Sequence, residues 1–259
     1  MDTGKPKKFF TLAKTAAVFV LQSLNYLLWP AVCLNCGNKI SEIENHLCRD
    51  CFSQLLSCIG NDYCPHCGLE ASRYALVQNR CPDCLDKQFF FDRIVRAGIY
   101  SQCLRKMIPD FKFKAKTKLD NHFALLLNSS LIASEFYNDI DFFTPVPLHW
   151  TRRLARGYNQ SLILAKGIEH PSAKINTDLV RIRRTKSQLS VVTTARREKN
   201  VENAFAVRLG HKFEGKNICL VDDIKTSGAT LNECAKTLKN AGANKVFALV
   251  LAVAGQKTT

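Results

Sequence analysis

Apolar and polar positions alternate along this chain in two rhythms, and the clearest change of rhythm lies near its C-terminal end. Ile218 to Val221 is an unbroken apolar run that stops at two adjacent acids, Asp222 and Asp223, and then becomes the small, hydroxyl-rich turn Thr226-Ser227-Gly228-Ala229-Thr230. After that turn Leu231, Cys234, Ala235 and Leu238 recur at i, i+3, i+4 and i+7, the spacing of one helix face, and Gly242 supplies a left-handed cap. The order predicted is strand, loop, helix.

The same reading predicts further strands over Ile94–Tyr100, Asp141–Val146 and Leu179–Arg184, with a buried one over Val246–Val253, and a helix over Leu119–Ala133. Thr185 to Asn200 is polar and basic without a sustained apolar period, the composition of a mobile lid. At the other end, Lys5, Lys7 and Lys8 precede a mostly apolar segment that Lys14, Gln22 and Asn25 interrupt. Its uninterrupted stretch, Ala16 to Leu21, is too short to cross a bilayer, and no small-residue cleavage site follows. The segment predicts an amphipathic helix packed on the body in preference to one on a membrane surface, and the expected location is cytoplasmic.

Cysteine usage changes the picture of the first third. Four C-x-x-C pairs, Cys33/Cys36, Cys48/Cys51, Cys64/Cys67 and Cys81/Cys84, are separated by 11, 12 and 13 residues. Each such turn presents two sulfurs from one knuckle, and Gly37 and Gly68 suit the backbone bend that follows. Eight thiolates make two tetrahedral zinc sites, closed and therefore structural, which replace the hydrophobic core that a segment this short lacks. Adjacent pairs sharing a metal give two successive ribbons and alternating pairs a cross-brace; adjacent ribbons are expected. Three parts follow: a helical segment over 1–32, a double zinc ribbon over 33–90 and an α/β domain over 91–259.

Net charge adds a partner class. The 259 residues carry a formal charge of +15, and the stretch from Pro145 to Arg208 holds 13 basic and 4 acidic residues. Such a segment attracts polyanions: pyrophosphate, a nucleotide or a nucleic acid. The turn after Asp223 offers backbone N–H groups at a helix N-terminus, which favour a phosphate. The two acids cannot bind phosphate themselves and so suit sugar hydroxyls or magnesium. Together these groups describe a phosphorylated ribose.

The Asp222-Asp223 stretch and its loop resemble the signature of type I phosphoribosyltransferases, in which two acids hold the ribose hydroxyls of phosphoribosyl pyrophosphate (PRPP) and the next loop holds its 5′-phosphate. Ser227 stands where that signature usually has Thr. Four further features resemble the ComF family of bacterial competence proteins: Leu27-Leu28-Trp29-Pro30 running into the first cysteine pair, the four pairs themselves, Pro145-Val-Pro-Leu-His149 through Arg152-Arg153-Leu-Ala-Arg156-Gly157-Tyr-Asn-Gln160, and Arg197-x-x-Asn200-Val201 before Ala204-Phe205. The family's lid glutamine falls one place off, at Gln188, which is assigned no role.

The resemblance implies a parallel, Rossmann-like α/β sheet with its site at the strand C-termini. It implies PRPP with Mg2+ as ligand and Asp222, Asp223, Arg152, Arg153 and Arg156 as the charged groups of a phosphoribosyl transfer. Thr226, Ser227, Gly228, Ala229 and Thr230 are then the phosphate loop. Single-stranded DNA and proteins of the competence machinery are the further partners it implies. No residue reads as a general base for an acceptor.

Overall fold

The computed structural model describes residues 31–40, 46–60, 62–113, 117–185, 193–255. The expected N-terminal helix and most of the lid's first half lie outside these residues. The chain divides into two compact units, Met1–Ser53 and Gln54–Thr259.

In the first unit, Val32 bridges Lys39 around the Cys33/Cys36 knuckle, and Gly37 closes it at φ +84° with its N–H on the Cys33 carbonyl at 2.9 Å. Cys51 follows on helix α1 (Arg49–Leu56). The second unit repeats the device: Tyr63 bridges Glu70, and Gly68, at φ +76°, donates to the Cys64 carbonyl at 2.7 Å.

The rest of the second unit is built on five parallel strands, β1 (Arg93–Ile99), β2 (Phe142–Pro145), β3 (Lys174–Ile175), β6 (Asn217–Lys225) and β7 (Lys245–Val253), in the order β1-β7-β6-β2-β3. A separate antiparallel pair joins β4 (Leu179–Arg181) to β5 (Phe205–Val207). β7 and the first half of β6, Ile218 to Val221, read as continuous apolar runs because a parallel sheet is covered on both faces. Ile218, Leu220, Val246, Ala248 and Val250 pack with Leu231, Cys234, Ala235 and Leu238 of α7 (Ala229–Asn240), the face the helical spacing predicted. On the other face, Phe247 stacks on Phe136, just after α3 (Asp120–Ile132), at 4.1 Å between ring centroids.

Of the elements that went unpredicted, two show why. α2 (Gln102–Phe113) carries Pro109 in its interior, which reads as a helix breaker. α6 (Thr194–Val201) has almost no apolar face to reveal it; Thr193 caps it, its side-chain oxygen accepting from the Arg196 N–H at 3.4 Å.

Candidate functional site

Both four-cysteine groups form from adjacent pairs: Cys33, Cys36, Cys48 and Cys51 in the first unit, Cys64, Cys67, Cys81 and Cys84 in the second, with the sulfurs of each group within 4.8 Å of one another. Four sulfurs on a tetrahedral zinc at 2.3 Å stand about 3.8 Å apart. The observed separations of 3.7 Å for Cys36–Cys48, 3.6 Å for Cys64–Cys84 and 3.5 Å for Cys67–Cys81 fit that spacing. Burial pushes the Cys51 and Cys84 thiols up to about 12, so the four sulfurs of either group cannot all ionise without a cation among them. The donor set therefore fits zinc.

The second site is a cavity of about 210 Å³ at the C-terminal ends of β2 and β6. β6 delivers Asp222 and Asp223 into its wall, and both are buried, 8% and 2% exposed, although acids near the end of a strand ordinarily lie open. The difference arises because two other elements cover them. Ser161, in the first turn of α5 (Gln160–Lys166), donates to Asp222 Oδ1 at 2.9 Å, and Lys112 in the last turn of α2 pairs with Asp223 Oδ2. Burial raises the Asp222 carboxyl to about 6, opposed by Lys112, the Ser161 hydrogen bond and two arginines. Burial likewise lowers Lys112 to about 8, opposed by the charge of Asp222.

Thr226 to Thr230 line the same cavity and lead into α7. Gly228 sits at the N-cap with φ +86°, and a Cβ there would come within 3.0 Å of Lys225 Cε, so glycine alone fits. Ser227 Oγ accepts from the Ala229 N–H at 3.4 Å.

Opposite the acids, α4 (Trp150–Arg156) brings Arg152 and Arg156 to the cavity. Gly157, at φ +83°, ends that helix, and Asn159 caps α5 while its amide donates to the Val146 carbonyl at 3.1 Å, fixing both helices to the end of β2. Arg156 donates to Gln160 Oε1 at 2.6 Å, and Arg152 donates to the Thr185 carbonyl at 2.7 Å. Arg153 is exposed and lies outside the lining. Sequence reasoning missed three groups. Arg181 on β4 lines the cavity and donates to Thr185 Oγ1. Lys112 was hidden in a run of alternating lysines, and Ser161 had no motif to mark it.

Residues 24–85 match a double zinc ribbon domain, and residues 156–259 match a phosphoribosyl transferase domain. Over 220 residues, 83% of this chain and 93% of the relative, the sequence is 31% identical to Competence protein F of Haemophilus influenzae. The chain belongs to the ComF family. This ComF-family chain is also 28% identical over 222 residues to DNA utilization protein YhgH of Salmonella typhimurium, covering 84% of this chain and 94% of that one. It is 27% identical over 226 residues to Competence protein ComFC of Bacillus subtilis, covering 84% and 82%. Its fold is thus a phosphoribosyltransferase-type α/β domain after a double zinc ribbon. No helix among the described residues is long and apolar enough to cross a membrane.

Proposed function

We propose that this chain binds PRPP together with magnesium and serves bacterial DNA uptake. The observation that carries the reading is the convergence in one cavity of the acid pair, the loop at the N-terminus of α7 and the cations Lys112, Arg152 and Arg156. The N–H groups of Thr226 to Thr230 take the 5′-phosphate, where helix dipole and orphan donors both favour an anion. The carboxylates of Asp222 and Asp223 accept from ribose hydroxyls, and Arg152 and Arg156 receive the pyrophosphate. Carboxylate oxygens are the hard donors magnesium takes, so Asp222 and Asp223 would hold it, and its charge would neutralise the pyrophosphate. A phosphoribosyl transfer builds negative charge on departing pyrophosphate, which the two arginines are placed to stabilise.

Calorimetry with PRPP and Mg2+ tests this. Saturable binding is expected, and the double change Asp222→Asn, Asp223→Asn should abolish it; undiminished binding in that variant would place the site elsewhere. Asn replaces the Ala one would use for exposed acids, because its amide oxygen still offers the Lys112 ammonium an acceptor, which Asp223→Ala would remove. Whether turnover follows binding is read from pyrophosphate release over a panel of acceptors.

A second partner, single-stranded DNA, rests on the basic stretch from Pro145 to Arg208 and on Trp150, 64% exposed within it. Each phosphate contacted contributes about −0.7 to the slope of log affinity against log salt, and Trp150 adds stacking that salt does not remove. Flat salt dependence would sink this reading.

A further inference from the structure

Four cations face the cavity from outside the phosphate loop and its strand, and they are not equivalent. Arg152 and Arg181 are tied to Thr185, and Arg156 is tied to Gln160. Among the described residues, Lys112 alone makes an ion pair with the acids, and the pair is buried, with the side chains 18% and 3% exposed for Lys112 and Asp223. Its ammonium therefore lies against a carboxylate that a divalent cation would also have to approach. A dication added beside that ammonium meets like-charge repulsion against a carboxylate only 3% exposed, where the interaction is screened less than at an open surface. The four-carbon stem is flexible and the head a compact point charge, so the side chain can leave as a unit.

We propose that Lys112 is the resident counter-ion of the acid pair, occupying the carboxylates in competition with a divalent cation and so setting how much metal the site needs before a sugar phosphate binds. This rests on the reading of the acid pair given under the proposed function and adds to it a residue and a role. A purely structural ion pair would hold α2 against β6 with no bearing on cation affinity, and the two are separable.

The test titrates Mn2+ alone, with no sugar phosphate, into the zinc-loaded full chain and follows free Mn2+ by electron paramagnetic resonance. Lys112→Met, which keeps the stem, should bind Mn2+ at least about tenfold more tightly than wild type, the size of a modest loss of charge repulsion. Lys112→Arg should stay near wild type, and the gain should vanish when Asp222→Asn is added to Lys112→Met. If Lys112→Met does not fold, Lys112→Gln takes its place. Unchanged Mn2+ affinity in the folded charge-free variant, or the same gain with Lys112→Arg, overturns the proposal. Because no PRPP is present, failure of the PRPP reading would show separately, as absent binding to wild type in calorimetry.

Discussion

The two four-cysteine groups have the same knuckle, the same glycine and closely similar sulfur spacing, yet they sit in different surroundings. In the first, Cys36 is exposed and Cys48 half-buried, and a Cβ added to Gly37 would meet nothing within 4 Å. In the second, all four cysteines are buried, and a Cβ on Gly68 would come within 3.0 Å of Val253 on β7 and 3.4 Å of Ile94 on β1. The Ile94 N–H donates to the Pro65 carbonyl at 2.9 Å. Phe89 packs against the second group and against the sheet core at once, and it lies beneath Lys225, the residue that precedes the phosphate loop. Next to it, the Phe90 N–H donates to Asn232 Oδ1 on α7 at 2.6 Å. One motif thus does two jobs: the first group organises its own small unit, while the second is part of the wall that holds the loop and the acid pair in place.

Removing one sulfur from each group should split them most widely. Wild type is expected to hold two zinc ions by elemental analysis, and Cys33→Ser and Cys81→Ser one each. Structural zinc couples directly to folding, so Cys81→Ser should destabilise the α/β body by more than about 4 kcal/mol, roughly 10 °C or more in melting temperature for a unit of this size. Cys33→Ser should leave that melting transition and PRPP affinity where they were. Equal effects on the body would break the distinction.

A smaller effect of the same kind is expected from the glycines. Gly37→Ala pays only the left-handed backbone penalty, about 1–2 kcal/mol within the first unit. Gly68→Ala carries that penalty and also drives a methyl into Val253, adding about 1–3 kcal/mol. Urea midpoints of the α/β body should fall for Gly68→Ala and stay put for Gly37→Ala.

The sequence announced the parts whose chemistry is local. Strand β6, the loop and α7 were legible because an apolar run, two acids, small residues and a 3.6-residue period follow one another without a gap, and the cysteine spacing was legible for the same reason. What escaped depended on distance in the chain. Nothing near Lys112 says that α2 will carry it to Asp223, and nothing near Ser161 says that it will cover Asp222. The burial of the acids, and with it the need for Lys112, follows from three elements meeting. The unequal embedding of the two cysteine groups escaped similarly, since Val253 lies far along the chain from Gly68.

The acid pair gives a pH signature that belongs to the body alone. Asp222 titrates near 6 when folded because burial disfavours its charge, against an ordinary value of 3.8. Between those values the folded state binds more protons than the unfolded one, so this group's contribution to stability is most favourable below about pH 4 and is lost as pH rises to about 6. The span corresponds to at most about 3 kcal/mol. Asp222→Asn keeps an acceptor for Ser161 and removes the titration, so its urea midpoint should fall less than wild type's between pH 4 and 6. Cys33→Ser should retain the wild-type slope; a slope altered by Cys33→Ser and unaltered by Asp222→Asn would assign the signature to the wrong region.

The smallest effect is expected inside the loop. Ser227 offers one hydroxyl, already engaged with the Ala229 N–H at 3.4 Å, while the phosphate is to be held by several backbone N–H groups. Ser227→Ala should therefore weaken PRPP by about 0.5–1.5 kcal/mol, the value of one ordinary hydrogen bond, or roughly two- to twelvefold in calorimetric affinity. Ser227→Thr, which keeps the hydroxyl, should bind like wild type. Cys81→Ser, where enough folded protein remains to measure, should cost more than Ser227→Ala, because it loosens the Phe89 and Asn232 contacts that fix where the backbone donors point. A greater loss from Ser227→Ala than from Cys81→Ser would place the affinity in one side chain and deny the second cysteine group its part in shaping the loop.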